Sequence, residues 1–83
     1  MYKVILDRRV AKEIKSLPNE FIPRVIHFIE ELKTNPRPYG VKKLVGDIGW
    51  RIRIGRYRIL YAIDDSQGIV VIYRVKHRKE SYR

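Results

Sequence analysis

The chain has no cysteine, so neither a disulfide framework nor a thiolate metal site is open to it. A reducing, cytoplasmic setting suits that absence. Long apolar runs are also missing. Segments such as Ile69 to Tyr73 fall far short of the roughly 20 apolar residues that a spanning helix needs. The opening MYKVILDRR lacks a long apolar stretch ahead of its charges, so no secretory signal is read there and no membrane partner is expected. Acid is scarce: 9 Asp and Glu stand against 19 Lys and Arg, for a net charge of +10. No phosphate-cradling glycine loop, dinucleotide fingerprint or serine elbow is present. Internal repeats, linkers and low-complexity tracts are absent as well.

What is present fits one small domain. The 83 residues, 45% of them hydrophobic, allow a single unit spanning 1–83 with a modest core. A charge of +10 at this size draws polyanions and speeds encounter with them, which makes nucleic acid the foremost partner class. The charge is uneven. From Trp50 onward the bases are Arg51, Arg53, Arg56, Arg58, Arg74, Lys76, Arg78, Lys79 and Arg83, against Asp64, Asp65 and Glu80. Arginine, with its planar fork of donors, suits phosphate better than lysine does.

Tyr2 to Leu6 reads as a short strand. Asp7 can cap a first helix in which Val10, Ile14 and Leu17 recur at helical spacing, and Pro18 ends it. Asn19 is placed to cap a second helix with an apolar stripe of Ile22, Val25, Ile26, Ile29 and Leu32, provided Pro23 lies in its first turn. Thr34 to Gly40 breaks that helix with two prolines and a glycine. The period then changes from helical to two. Trp50, Ile52 and Ile54 alternate with Arg51 and Arg53; Gly55 and Arg56 suit a tight turn into Tyr57 to Ile63; and Asp64 to Gly68 turns the chain into Ile69 to Val75. The expected fold is therefore α+β, in the order β-α-α-β-β-β. Two N-terminal helices cover one face of a small, largely antiparallel four-stranded sheet, with the first strand at an edge.

Alternation puts Arg51 and Arg53 on the face away from the helices, joined by Arg58 from the next strand. Counting by two along the last strand places Arg74 with Val70 and Ile72. These arginines form a candidate phosphate-binding surface, since Arg51 to Ile63 holds four arginines and no acid. The basic ending, Lys76-His77-Arg78-Lys79-Glu80-Ser81-Tyr82-Arg83, carries side chains able to bind, protonate or stack on a nucleotide. Other candidates are weaker. His27 has no ligand partner at helical spacing, so no metal site is expected. Trp50 and Tyr61 read as core, and Asp64 and Asp65 as turn residues.

Leu44-Val45-Gly46, followed by Trp50-Arg51-Ile52-Arg53-Ile54-Gly55-Arg56-Tyr57-Arg58-Ile59-Leu60-Tyr61, resembles the Leu-x-Gly and Arg-x-Arg-x-Gly-x-Tyr-Arg stretch of the RelE/ParE toxin superfamily. The ending Val75-Lys76-His77-Arg78 with Tyr82 is similar to the close of its RelE branch. That resemblance implies a RelE-like fold and a toxin that enters the ribosomal A site and cleaves mRNA there. The ribose 2′-OH would attack the adjacent phosphate with no metal or other cofactor. By matching position, Arg58 would hold the phosphate and stabilise the transition state, Arg78 would serve the leaving 5′-oxygen, and Tyr82 would orient the nucleotide. Arg51 and Arg53 stand where some members carry lysine. Arginine is too basic to accept a proton readily, so Arg53 is expected to act by its charge, and His77 becomes the candidate proton acceptor. Arg51, Arg53, Arg56, Arg74 and Lys76 would contact RNA. The implied partners are the ribosome, mRNA and a cognate acidic, RelB-like antitoxin, with a heterotetramer as one compatible assembly. Two alternatives are a ParE-like poison of DNA gyrase and a non-catalytic RNA-binding module.

Overall fold

The computed structural model describes residues 1–46 and 48–77. The chain begins with β1 (Lys3–Leu6), then α1 (Arg8–Lys15) and α2 (Ile22–Thr34). Four more strands follow: β2 (Lys42–Lys43), β3 (Trp50–Ile54), β4 (Tyr57–Asp64) and β5 (Ile69–His77). They form one sheet in the order β1-β5-β4-β3-β2. The α+β class and the edge position of β1 match the sequence reading. The strand count is five rather than four, because Lys42 and Lys43 pair with Arg51 and Trp50 to add a two-residue edge strand. β1 runs parallel to β5, and every other pairing is antiparallel.

Each helix boundary has a local cause. At the start of α1 the Arg9 N–H donates to Asp7 Oδ1, satisfying one orphan donor of the first turn. α2 starts differently from the expectation. Its Phe21 and Ile22 N–H groups donate to the carbonyls of Pro18 and Asn19, so the entry is a backbone turn and the Asn19 side chain is not the cap. Pro23 falls in the first turn, where its missing N–H costs nothing. At the other end Asn35 Oδ1 accepts the Arg37 N–H at 3.0 Å, and Pro36 stops the helix.

Both helices bury their apolar stripes on one face of the sheet. Val10 and Leu17 from the first helical segment and Val25, Phe28 and Leu32 from α2 meet Ile54, Ile59, Tyr61, Val70, Ile72 and Val75. The α2 stripe is thus centred on Phe28, while Ile26 is 50% exposed. The sequence offers two adjacent apolar lines along that helix, and the one carrying the larger Phe28 ring docks on Tyr61, edge to face at 5.9 Å.

β5 holds one irregularity that decides what the sheet presents. Tyr61 pairs with Ile72, but Leu60 pairs with Arg74, so Tyr73 is an extra residue on β5 and forms a β-bulge. From there on the strand has changed phase. Val70 and Ile72 face the helices before the bulge, and Val75 does so after it.

Candidate nucleic-acid interface

Residues paired across neighbouring strands share a face, so the registers build the surface opposite the helices row by row. Arg53 pairs with Arg58, and Arg58 pairs with Lys76. Three cations therefore lie side by side across β3, β4 and β5, over about 10 Å at the usual strand spacing. The next row is Lys42, Arg51, Leu60 and Arg74, running from β2 to β5. Like charges set directly opposite each other destabilise a sheet by some tenths of a kcal/mol per pair. A polyanion laid across the row would reverse the sign of that term.

The members of the row are held differently. Arg58, on the central strand of the three, is half-buried with its Nε shut away from solvent, so the stem is packed and the guanidinium has a fixed origin. Arg53 is exposed near the end of β3. The turn joining their strands needs Gly55, which has φ +60°, and a Cβ there would collide with the Phe21 ring. Positive φ at the first position of a two-residue hairpin is what keeps β3 and β4 twisted together in register. Arg56, the other turn residue, is exposed at the tip.

Arg74 departs from the expectation. Period-two counting grouped it with Val70 and Ile72, whereas the bulge at Tyr73 places it opposite Leu60 on the arginine face. Its Nε then donates to Glu13 Oε2 of α1 at 3.0 Å, and Glu13 Oε1 accepts the Val75 N–H at 2.8 Å. β1 pairs with β5 only as far as Ile72, so Glu13 supplies the acceptor that a strand would supply further along. Arg74 is thereby engaged at the sheet edge.

His77 also lies apart from the row. It pairs with Tyr57 on the helix face, ring against ring at 5.2 Å and 87°, and helps line a cavity of about 390 Å³ with Lys12, Glu13, Ser16, Leu17, Tyr57 and Val75. The sheet stands between it and Arg58. Lys76, one residue earlier, points to the arginine side. Arg78 and Tyr82 lie outside the described residues. Among the described residues no cluster of three or more metal-ligating side chains occurs, and His27 is exposed on α2.

Two aspartates of the β4–β5 turn have structural work. Asp64 accepts from the Ser66 hydroxyl and the Gln67 N–H, which hold its carboxyl below the ordinary range. Asp65 takes Arg37 through both guanidinium nitrogens, at 2.8 and 3.2 Å, and accepts the Tyr2 hydroxyl at 2.6 Å. Those bonds, the one from Arg37 foremost, pull its pKa down to about 2. Arg37 in turn lies over the Trp50 ring at 5.2 Å, at the start of β3. Burial raises the Tyr61 hydroxyl pKa, and that hydroxyl donates to the Pro36 carbonyl at 2.9 Å.

Lys42 was not singled out in the sequence, because two residues carry no period. The only signal available was the Lys-Lys pair just before the Leu44-Val45-Gly46 motif.

Residues 4–82 match the family model described as the ParE toxin of the type II toxin–antitoxin system parDE. The chain belongs to the RelE/ParE toxin superfamily. Toxin RelG of Mycobacterium tuberculosis is 34% identical over 99% of this chain and 97% of its own length. The fold of this superfamily member superposes on the archaeal RelE–RelB complex of Pyrococcus horikoshii with a TM-score of 0.82, at 30% identity over 93% of this chain and 94% of that one. The isolated RelE toxin of Escherichia coli gives 0.79 at 25% identity, covering 99% of this chain and 92% of that one. Toxins of the RelE type thus match across the whole length. Among the described residues, no helix is long and apolar enough to cross a membrane.

Proposed function

We propose that this chain is a RelE-type toxin that cleaves mRNA in the ribosomal A site. The observation that carries the reading is the cross-strand row Arg53–Arg58–Lys76 on the face away from the helices, in a chain of this family. In the reaction the ribose 2′-oxygen bonds to phosphorus, the bond from phosphorus to the 5′-oxygen breaks, and a 2′,3′-cyclic phosphate and a free 5′-hydroxyl result. The pentavalent intermediate gathers negative charge on its equatorial oxygens. A fixed guanidinium stabilises that charge most where it develops. Arg58 takes this role, with Arg53 and Lys76 flanking it and Arg51 and Arg56 contacting neighbouring phosphates. The family resemblance adds Arg78 at the leaving oxygen and Tyr82 as the group that orients the nucleotide.

The row concentrates charge and holds no carboxylate or imidazole. With His77 on the other face of the sheet, proton removal from the 2′-OH falls to the C-terminal residues or to the A site itself. This supports dependence on the ribosome and slow cutting of free RNA. Such a target places the toxin in the cytoplasm. The antitoxin is an acidic, RelB-like chain. The +10 charge favours it, and so do Ile5 and Leu6, which are 38% and 40% exposed on the outermost strand and available to a covering segment.

Mapping mRNA ends on translating ribosomes tests the reading: A-site cuts should appear with the wild-type chain and vanish with Arg58→Ala. The description of the matched family as ParE favours one rival, a DNA gyrase poison. Intact mRNA together with cleaved, gyrase-trapped DNA would decide for it.

A further inference from the structure

Tyr39 is 103% exposed, yet the segment carrying it is tied down on both sides. Pro36 and Pro38 are buried. The Pro36 carbonyl takes the Tyr61 hydroxyl, and Arg37 is clamped by Asp65 and lies over Trp50. The Val41 N–H then closes a turn onto the Pro38 carbonyl at 3.3 Å, with Gly40 at φ +96°. Positive φ at the third position of a four-residue turn is the type II arrangement, which leaves Tyr39 at the corner with its side chain outward. A groove of about 350 Å³ runs beside it, lined by Tyr39, Gly40, Lys42, Arg51, Ile52 and Arg53. Every charged residue in that lining is a cation, and all three belong to the rows described above.

A single exposed aromatic is ordinary on a protein surface. The combination here is less so. A ring with two rotatable bonds, set on an anchored turn, loses little freedom on binding. Its neighbours are apt for phosphate and not for an apolar peptide. Unpaired nucleobases offer a flat face to stack and a phosphate on each side.

We propose that Tyr39 is a stacking platform for one unpaired nucleobase of RNA, with Lys42 and Arg51 holding the adjoining phosphates. The subsite extends the Arg53–Arg58–Lys76 row toward the β2 edge and rests on the RNA-directed reading of that row. It fixes where the strand leaves the phosphate row and adds contact with a base.

The test uses the full chain and a fluorescently labelled single-stranded oligoribonucleotide, beside a version with abasic nucleotides. Tyr39→Ala should weaken binding of the intact oligonucleotide about tenfold, as expected for loss of one base stack. It should leave binding of the abasic one unchanged, and Tyr39→Phe should restore the wild-type value. Lys42→Ala should lower the salt slope by about one, whereas Tyr39→Ala should not move it. Intact-oligonucleotide affinity within twofold of wild type for Tyr39→Ala overturns the proposal. If Arg58→Ala abolishes cleavage while Tyr39→Ala changes nothing, the subsite falls and the nuclease reading stands. If wild type leaves mRNA whole on ribosomes yet the Tyr39 effect persists, the nuclease reading falls and the subsite stands. On ribosomes, a changed set of cut codons in Tyr39→Ala identifies an mRNA base, and a uniform loss of ribosome binding identifies an rRNA base. Either result supports the stack.

Discussion

Glu13 and Val75 are joined by a hydrogen bond in which a helix side chain takes the place of a β-strand. The carboxylate accepts the Val75 N–H at 2.8 Å just beyond the end of β1, and its second oxygen holds Arg74. Removing it leaves a part-buried N–H without its acceptor, which costs about 1–3 kcal/mol. Glu13→Ala should therefore lower the thermal midpoint by roughly 4–20 °C for a domain of this size. Glu13→Gln keeps an oxygen acceptor for Val75 and should lose less. Thermal unfolding followed by circular dichroism compares the two.

Acid stability should depend on Asp65. Its folded-state pKa, about 2, lies below its ordinary value of 3.8. A depressed carboxylate contributes stability above its unfolded pKa and loses it as pH falls through the folded one. The wild-type urea midpoint should therefore fall as pH is lowered from about 4 toward 2. Asp64 adds to the same trend, since its pKa is also lowered. Asp65→Asn should flatten the dependence in that window. An unchanged profile would argue that the Arg37 and Tyr2 bonds contribute nothing in solution.

The Arg58 guanidinium should be replaceable neither by Ala nor fully by Lys. Loss of one preorganised charge at a transition-state oxyanion slows a reaction about 10²- to 10³-fold. A lysine at this position keeps the charge but loses the planar fork that matches a phosphate. The expected order of A-site cleavage rates is wild type, then Arg58→Lys, then Arg58→Ala, with thermal midpoints reported alongside to separate catalysis from folding.

Gly55→Ala should destabilise the chain by about 2 kcal/mol. The cause is the combined strain of positive φ and the collision with Phe21. Denaturant titration measures it. RNA affinity of the protein that remains folded should drop as well, because the β3–β4 turn sets the register between Arg53 and Arg58.

Much of this architecture is legible in the sequence because period-two alternation is a local property. Arg51, Arg53 and Arg58 separate from Ile52, Ile54 and Ile59 with no knowledge of the neighbouring strands. Asp7 and Pro18 bound the first helical segment by local chemistry alone, a side-chain cap at one end and a missing N–H at the other. The remainder depends on docking. The bulge at Tyr73 exists only relative to β4, so nothing within β5 announces it. Lys42 and Lys43 become a strand only because Arg51 and Trp50 lie beside them. The choice of Phe28 over Ile26 is made by the sheet rather than by the helix. His77 is the side chain nearby that titrates near neutrality, which makes it the candidate proton acceptor in the sequence, but the phase of β5 after the bulge sends it to the other side.

The change of phase at Tyr73 makes β5 a strand whose two halves obey opposite parity. Were the strand straightened with Tyr73 retained and paired with Leu60, Val75 would fall opposite Arg58, and Arg74 and Lys76 would turn toward the helices. The charge pattern on the arginine face is therefore set by the bulge as much as by the residues that flank it. A strand one residue shorter, without Tyr73, would keep Lys76 beside Arg58 with no bulge at all.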